Sequence, residues 1–223
     1  MPPETTLLAF DTSAAHCAAA LMMDGHIVAA RIEPMEKGQA ERLIPLLELV
    51  LADGGVDWHD LAALAVGIGP GNFTGIRIAV SAARGLALGL GIPAIGITQF
   101  EALATGQPHP VLVVEDARRG SVYVQGFGIA PAQAVLMGLA EARGLVAQSS
   151  AAVSFVGSGM PLVAPPHETN LPAPSQTAIA QVIAHAAWSR LGTPQPRPAP
   201  FYLRAADAAP PSDPPPVILD ALA

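Results

Sequence analysis

The chain has 223 residues, a formal net charge of −7 and a single lysine, Lys37, and its longest basic run is Arg118-Arg119. That balance excludes a protein that grips RNA alone through a basic patch. Cys17 is the only cysteine, which excludes an intrachain disulfide or a cysteine metal cluster.

Hydrophobic residues make up 51% of the chain and charged residues 13%, so a large aliphatic core is expected. The first eight residues lack a basic region followed by a long apolar stretch, and a signal peptide is not expected. The apolar segments are broken by Gly, Pro or charge short of a bilayer's thickness. The expectation is a cytoplasmic protein that makes no membrane contact.

Residues 6–10 read as a short buried strand ending at Asp11. Residues 16–23 and 26–32 are two further strands, and Asp24-Gly25 between them is a strong hairpin signal, because a type I′ turn needs positive φ at its centre. A helix follows over 39–52, with Leu43, Leu46, Leu47, Val50 and Leu51 at helical spacing and Ile44 and Leu49 widening the stripe. Pro45 either kinks this helix or marks a late start. A strand over 61–68 leads through Gly69-Pro70-Gly71 into a long helix over 74–90. A strand over 93–97 and a short helix over 99–104 complete the first half. The order β-β-β-α-β-α-β-α is the ribonuclease H-like arrangement.

The second half starts in the same way. Residues 111–115 form a strand leading to Asp116, and 121–127 a strand after the Gly120 turn. A short strand over 154–156 and a helix over 179–191 follow, with proline-rich loop over 160–174 and an extended tail over 193–216. The chain therefore reads as α/β with two related lobes, 1–105 and a smaller, degenerate 106–200, followed by a Pro-rich tail, 201–223.

Asp11 ends the first strand where a kinase-like fold places a Mg²⁺-orienting carboxylate. The following turn, Thr12-Ser13-Ala14-Ala15, lacks the glycines that let backbone approach a phosphate closely. The plainer reading is a turn-capping aspartate, with Thr12 and Ser13 satisfying backbone groups. The Gly69-Pro70-Gly71 loop is not a P-loop, because no Gly-Lys-Ser/Thr follows. It does run into a helix N-terminus, which favours an anion, with Thr74 or Asn72 as the alternative cap. The candidate nucleotide-binding residues are Asp11, Thr12, Gly69, Gly71 and Thr74. No nucleophile is anchored: His16 and Cys17 are adjacent on a strand and point to opposite faces, and no G-x-S-x-G elbow is present.

Four segments resemble a known family. Residues 7–13, LLAFDTS, look like the first strand and phosphate turn of the actin, Hsp70 and sugar-kinase superfamily. Residues 67–77, GIGPGNFTGIR, are similar to the GxGPGSFTGxR signature of the TsaB (YeaZ) family. Residues 116–123, DARRGSVY, are similar to that family's DARRGEVY stretch, and 201–204, FYLR, to its late P-x-Y-L-R motif. The resemblance implies two ribonuclease H-like lobes of that superfamily. It also implies a non-catalytic subunit in the synthesis of N6-threonylcarbamoyladenosine on tRNA, an inactive relative of TsaD and of M22-type glycoproteases. Its implied partners are TsaD, as a heterodimer, and TsaE, with tRNA met only through the complex. No cofactor of its own is implied, although ATP or ADP at a subunit interface is compatible with it.

Catalytic relatives need a His-x-x-x-His pair, two imidazoles one helical turn apart. Of His16, His26, His59, His109, His167 and His185 no two lie four apart, and Gln39 stands where many relatives keep one histidine. Neither metal ligands nor catalytic residues are assigned.

The helix over 74–90 carries small residues at Gly75, Ala79, Ala82, Ala83, Gly85 and Gly89 and is apolar nearly all round, so it is expected to be buried nearly all round. Gly75, Ala79, Ala82 and Ala83, with Leu43, Leu47 and Val50 of the preceding helix, are the candidate partner interface. Ala83→Glu is then expected to weaken the heterodimer and leave the monomer folded. The alternatives are an independent ATP-binding kinase-like or peptidase-like enzyme of the same fold, and a homodimer in isolation through the same face.

Overall fold

The computed structural model describes residues 5–150, 152–164 and 178–203. The first strands, β1 (Thr6–Asp11), β2 (His16–Met23) and β3 (His26–Pro34), form the expected antiparallel meander. Asp24 and Gly25 both take positive φ, 47° and 83°, as a tight I′-type turn requires. Beside β1 run two parallel strands, β4 (Ala63–Gly67) and β5 (Ala94–Ile97), giving the sheet order β3-β2-β1-β4-β5. β1 is buried along its whole length, which explains its unbroken apolar run: a central strand is covered on both faces. Leu8 and Phe10 face one layer of helices, and Leu7 and Ala9 the other.

The first layer holds α1 (Gln39–Gly54) and α2 (Phe73–Leu90). α1 lays Leu43, Leu46, Leu47, Val50 and Leu51 on the sheet. Pro45 is exposed inside the helix, which runs through it instead of starting late. α2 starts at Asn72, whose side-chain oxygen accepts the Gly75 N–H at 3.0 Å. Asn72→Ala leaves that amide unpaired and is expected to cost about 1 kcal/mol, read by urea denaturation.

By length and composition α2 is apolar enough to cross a bilayer, so its glycines do not interrupt it as expected. It is also far less covered than expected. Gly75, Ile76, Ala79, Val80 and Ala83 are buried, whereas Phe73, Arg77, Ser81, Arg84, Gly85, Leu88 and Gly89 are exposed. One face packs on the sheet, and the opposite face is turned to solvent.

The second sheet has the order β8-β7-β6-β9, from β6 (Val111–Asp116), β7 (Ser121–Phe127), β8 (Val135–Gly138) and β9 (Ser154–Val156). It repeats the first sheet's plan. An antiparallel meander is extended by a strand parallel to its first member, β6 beside β9 as β1 beside β4. No fifth strand is present among the described residues, so the second lobe is the smaller of two ribonuclease H-like lobes. Its apolar core is filled by α4 (Leu139–Gln148) and α5 (Met160–Val163). β8 and α4 were not legible in the sequence. β8 has four residues, and α4 buries only Ala142 and Val146 and has no side-chain cap.

The last described helix, α6 (Ile179–Trp188), corrects the lobe boundaries. Residues 106–200 do not pack as one unit. α6 returns to the first sheet and covers its second face with Ile183, Ala184 and Ala187 against Leu7, Ala9, Ala63 and Ala65. Phe201 also packs back, its N–H donating to the Ile68 carbonyl at 2.8 Å. Phe201 and Leu203 join Phe100 and Leu103 of α3 (Gln99–Ala104) and Val111, Val113 and Val156 of the second sheet in one apolar seam between the lobes. Residues 165–174 of the expected loop and 204–223 of the expected tail lie outside the described residues.

Candidate functional site

The C-terminal ends of β1 and β4 bring the sequence-predicted turn and loop together. Asp11 is buried at the end of β1, and Ser13 donates to it through its backbone N–H at 2.9 Å and its hydroxyl at 2.7 Å. Thr12 is also buried, and its hydroxyl donates to the Gly75 carbonyl at 2.7 Å. The Asn72 N–H donates to the Ser13 carbonyl at 2.6 Å. Thus the β1–β2 turn is stitched to the start of α2.

Close packing explains two of the loop's glycines. A Cβ on Gly71 would lie 2.5 Å from the Ser13 carbonyl oxygen, and one on Gly75 would lie 1.9 Å from that of Thr12. Both distances are below any real Cβ contact. The loop needs glycine to lie against the β1–β2 turn, whatever it binds. Of the candidate nucleotide-binding residues, Asp11, Thr12 and Gly69 are buried, and Gly71 and Thr74 are exposed. Thr74 is not the helix cap; Asn72 is. The polar groups of Asp11 and Thr12 are therefore engaged within the protein. Behind them lies a cavity of about 10 Å³, room for one water. The buried His16 Nε2 lies 3.5 Å from Asp11 Oδ1 and makes no hydrogen bond.

In front of this turn a cleft of about 1130 Å³ opens between the lobes. Ser13 and Gly71 line one wall, Glu115, Asp116 and Arg118 the other. Arg118 and Arg119 both take positive φ, 62° and 53°, a conformation that costs energy for any residue with a Cβ. The Asp116 carboxylate steadies this turn by accepting the Arg118 N–H at 2.7 Å. At the cleft rim Phe73 stacks on Tyr202 with ring centroids 5.2 Å apart. The Arg77 guanidinium lies 3.7 Å from the Phe73 centroid, and its Nε donates to the Tyr202 hydroxyl at 2.9 Å. Tyr202 is 43% exposed in this cluster. Two motifs 125 residues apart meet in this cluster, a link that spacing along the chain does not reveal.

Cys17 is buried, and its thiol is pushed up to about 12 by that burial and by the nearby Glu33 carboxylate. A thiol held protonated is a core residue and a poor nucleophile. Among the described residues no group of three or more His, Cys, Asp or Glu side chains is placed to hold a metal ion.

The candidate partner interface needs correction. Ala79, Ala83, Leu47 and Val50 are fully buried, and Leu43 and Gly75 are buried with them, all inside the first lobe. They hold α1 and α2 to the sheet and cannot touch an incoming chain. Only Ala82 is partly accessible. Periodicity identified the apolar positions but assigned the inner face to the partner. The accessible face carries Ser81, Gly85, Leu88 and Gly89, with Leu88 82% exposed. On α1 beside it, Ile44 and Leu49 are each 38% exposed.

Comparison with known proteins gives a consistent result. Residues 32–159 match the family model described as TsaD, tRNA N6-adenosine threonylcarbamoyltransferase. The chain is 39% identical over 122 residues to the tRNA threonylcarbamoyladenosine biosynthesis protein TsaB of Escherichia coli (strain K12), a match covering 52% of each chain. It thus spans about half the length of the curated relative it matches. Its fold matches YeaZ from Pseudomonas aeruginosa with a TM-score of 0.66 at 28% identity, covering 83% of this chain and 93% of that one. A second solved structure, an uncharacterized protein with similarity to peptidase YEAZ from Pseudomonas aeruginosa, matches with a TM-score of 0.69 at 26% identity over 90% of this chain and all of that one.

Proposed function

The chain belongs to the TsaB (YeaZ) family, within the wider threonylcarbamoyltransferase family whose model it matches, and from that premise we propose that it is a non-catalytic subunit in the synthesis of threonylcarbamoyladenosine on tRNA. Its proposed partners are a TsaD-type catalytic homologue, as a heterodimer, and TsaE. tRNA is met through the complex, because a chain of net charge −7 offers little to phosphates by itself.

The outer face of α2 carries this reading. A helix apolar enough to span a bilayer leaves Leu88 82% exposed, with open space around Gly85 and Gly89. The small residues around Leu88 would let another helix approach closely, which supports this face of α2 as the docking surface. A homodimer through the same face in isolation is compatible with the proposal, since a heterodimer would displace it. The place proposed for a nucleotide is the subunit interface, because Asp11 and Thr12 are engaged within the lobe.

The test is an omission assay with the TsaD and TsaE relatives, the adenylate-forming enzyme, tRNA, ATP, threonine and bicarbonate. Digested tRNA is analysed by mass spectrometry. Product is expected only when this chain is present, and none is expected from the chain with the adenylate-forming enzyme alone. Full product without the chain would overturn the proposal. The size of the interlobe cleft favours a second reading, an independent ATP-binding kinase-like or peptidase-like enzyme, which ATP turnover by the isolated chain would support.

A further inference from the structure

The outer face of α2 is not apolar along its whole length. Phe73, Arg77, Ser81, Arg84 and Leu88 are all exposed, and each follows the last by three or four residues, so they form one stripe down the helix. Arg77 and Arg84 are the only charged residues of α2, and they lie two turns apart, about 10 Å along the axis. A chain of net charge −7 thus turns a purely cationic stripe to solvent.

Other arginines of the chain are closed by acids. Arg31 meets Asp53, Arg42 meets Glu33 and Arg190 meets Glu101, each at 2.6 Å. Among the described residues neither Arg77 nor Arg84 meets a carboxylate. Arg77 is nevertheless held in place. Its guanidinium lies over the Phe73 ring, and its Nε donates to the Tyr202 hydroxyl. Those contacts use the flat face and Nε, and they leave both terminal nitrogens for another acceptor. An arginine fixed in this way has less freedom to lose on binding, and Arg and Tyr are residue types that anchor interfaces.

A helix that docks on this stripe takes water from both guanidiniums. An unpaired charge in such a contact costs more than burying Leu88 returns. The docking helix must therefore supply the missing acids. We propose, resting on the reading of this face as the docking surface, that Arg77 and Arg84 select a partner helix carrying two carboxylates about two turns apart, with Tyr202 as the positioning residue for Arg77. A phosphate backbone fits less well: it offers no apolar group to Leu88, and the chain's net charge repels it.

The test is titration calorimetry with the purified TsaD-type partner at low and high salt. Affinity of the parent chain is expected to fall about tenfold between about 50 and about 500 mM salt. Arg77→Gln and Arg84→Gln are each expected to weaken binding at least about tenfold at low salt, and the double variant to lose the salt dependence. Tyr202→Phe is expected to weaken binding about threefold in the parent chain and not at all beside Arg77→Gln, a coupling that a packing role alone does not give. All three positions are exposed, and the urea midpoints are expected to stay in place. Leu88→Glu separates this proposal from the reading beneath it. Weaker binding in Leu88→Glu, with affinity and salt dependence unchanged in the double arginine variant, overturns the acidic partner and keeps the docking face. Unchanged binding in both overturns the docking face as well. Binding of tRNA alone that the double variant loses, or self-association that it loses while partner affinity stays, also overturns the proposal: the anion is then a phosphate, or the occupant a second copy. If a variant does not fold, salt-independent partner binding by the parent chain overturns it.

Discussion

Alanine at position 75 is expected to destabilise the chain by about 2–3 kcal/mol, although glycine-to-alanine within a helix normally stabilises by about 1 kcal/mol. Gly75 lies in the first turn of α2, where an added Cβ would fall 1.9 Å from the Thr12 carbonyl oxygen and 3.0 Å from its carbon. Neither atom is the end of a flexible side chain. The turn that carries them is fixed by the Thr12 hydroxyl on Gly75 O and by Asn72 N on Ser13 O, at 2.7 and 2.6 Å. Relieving the overlap therefore means pulling α2 off the end of β1 and breaking those bonds. The midpoint of thermal unfolding should fall by about 4–12 °C for a chain of this size. Gly85 of the same helix is the internal control: nothing lies within 4 Å of its would-be Cβ. Gly85→Ala is expected to raise stability by up to about 1 kcal/mol. Two identical substitutions ten residues apart should thus move a urea midpoint in opposite directions, and a stabilising Gly75→Ala would refute the packing argument.

Leu88→Glu is expected to leave the monomer folded and to weaken binding of the TsaD-type partner at least about thirtyfold, about 2 kcal/mol. Leu88 is 82% exposed, so a carboxylate there stays hydrated in the free chain, and stability should change by no more than about 0.5 kcal/mol. In a close helix–helix contact the same carboxylate loses its water without a partner. Titration calorimetry with the purified partner reads the affinity, and a denaturation curve reads the fold. Ala83→Glu does not test the interface. Ala83 is fully buried, and a charge there would unfold the lobe. An unchanged affinity in Leu88→Glu would remove α2's outer face from the interface.

Where the chain's own short-range chemistry is decisive, the sequence was readable. The Asp24-Gly25 turn, the strands on either side of it and the full burial of β1 follow from alternation, turn residues and unbroken apolar runs. Two lobes of one plan could also be read, because Asp11 and Asp116 end matching strands. α4 and β8 were not readable. A helix that buries two residues and a strand of four leave little periodicity to detect.

The sequence by itself determined which residues are apolar, where the turns fall and which segments carry the family's motifs. Only the tertiary structure decided what covers each apolar face. It put α6 on the first sheet, across the boundary drawn at residue 106, and turned Ala79 and Ala83 of α2 inward with Leu88 outward. It also spent Asp11 and Thr12 on stitching the loop, and brought Phe73 and Arg77 to Tyr202. The physical reason is range. Helical and strand periods are set within a few residues, so they specify a face. The partner of that face is chosen by contacts between segments far apart in the chain, such as α6 on β1 or Arg77 with Tyr202, and those depend on how the whole chain closes.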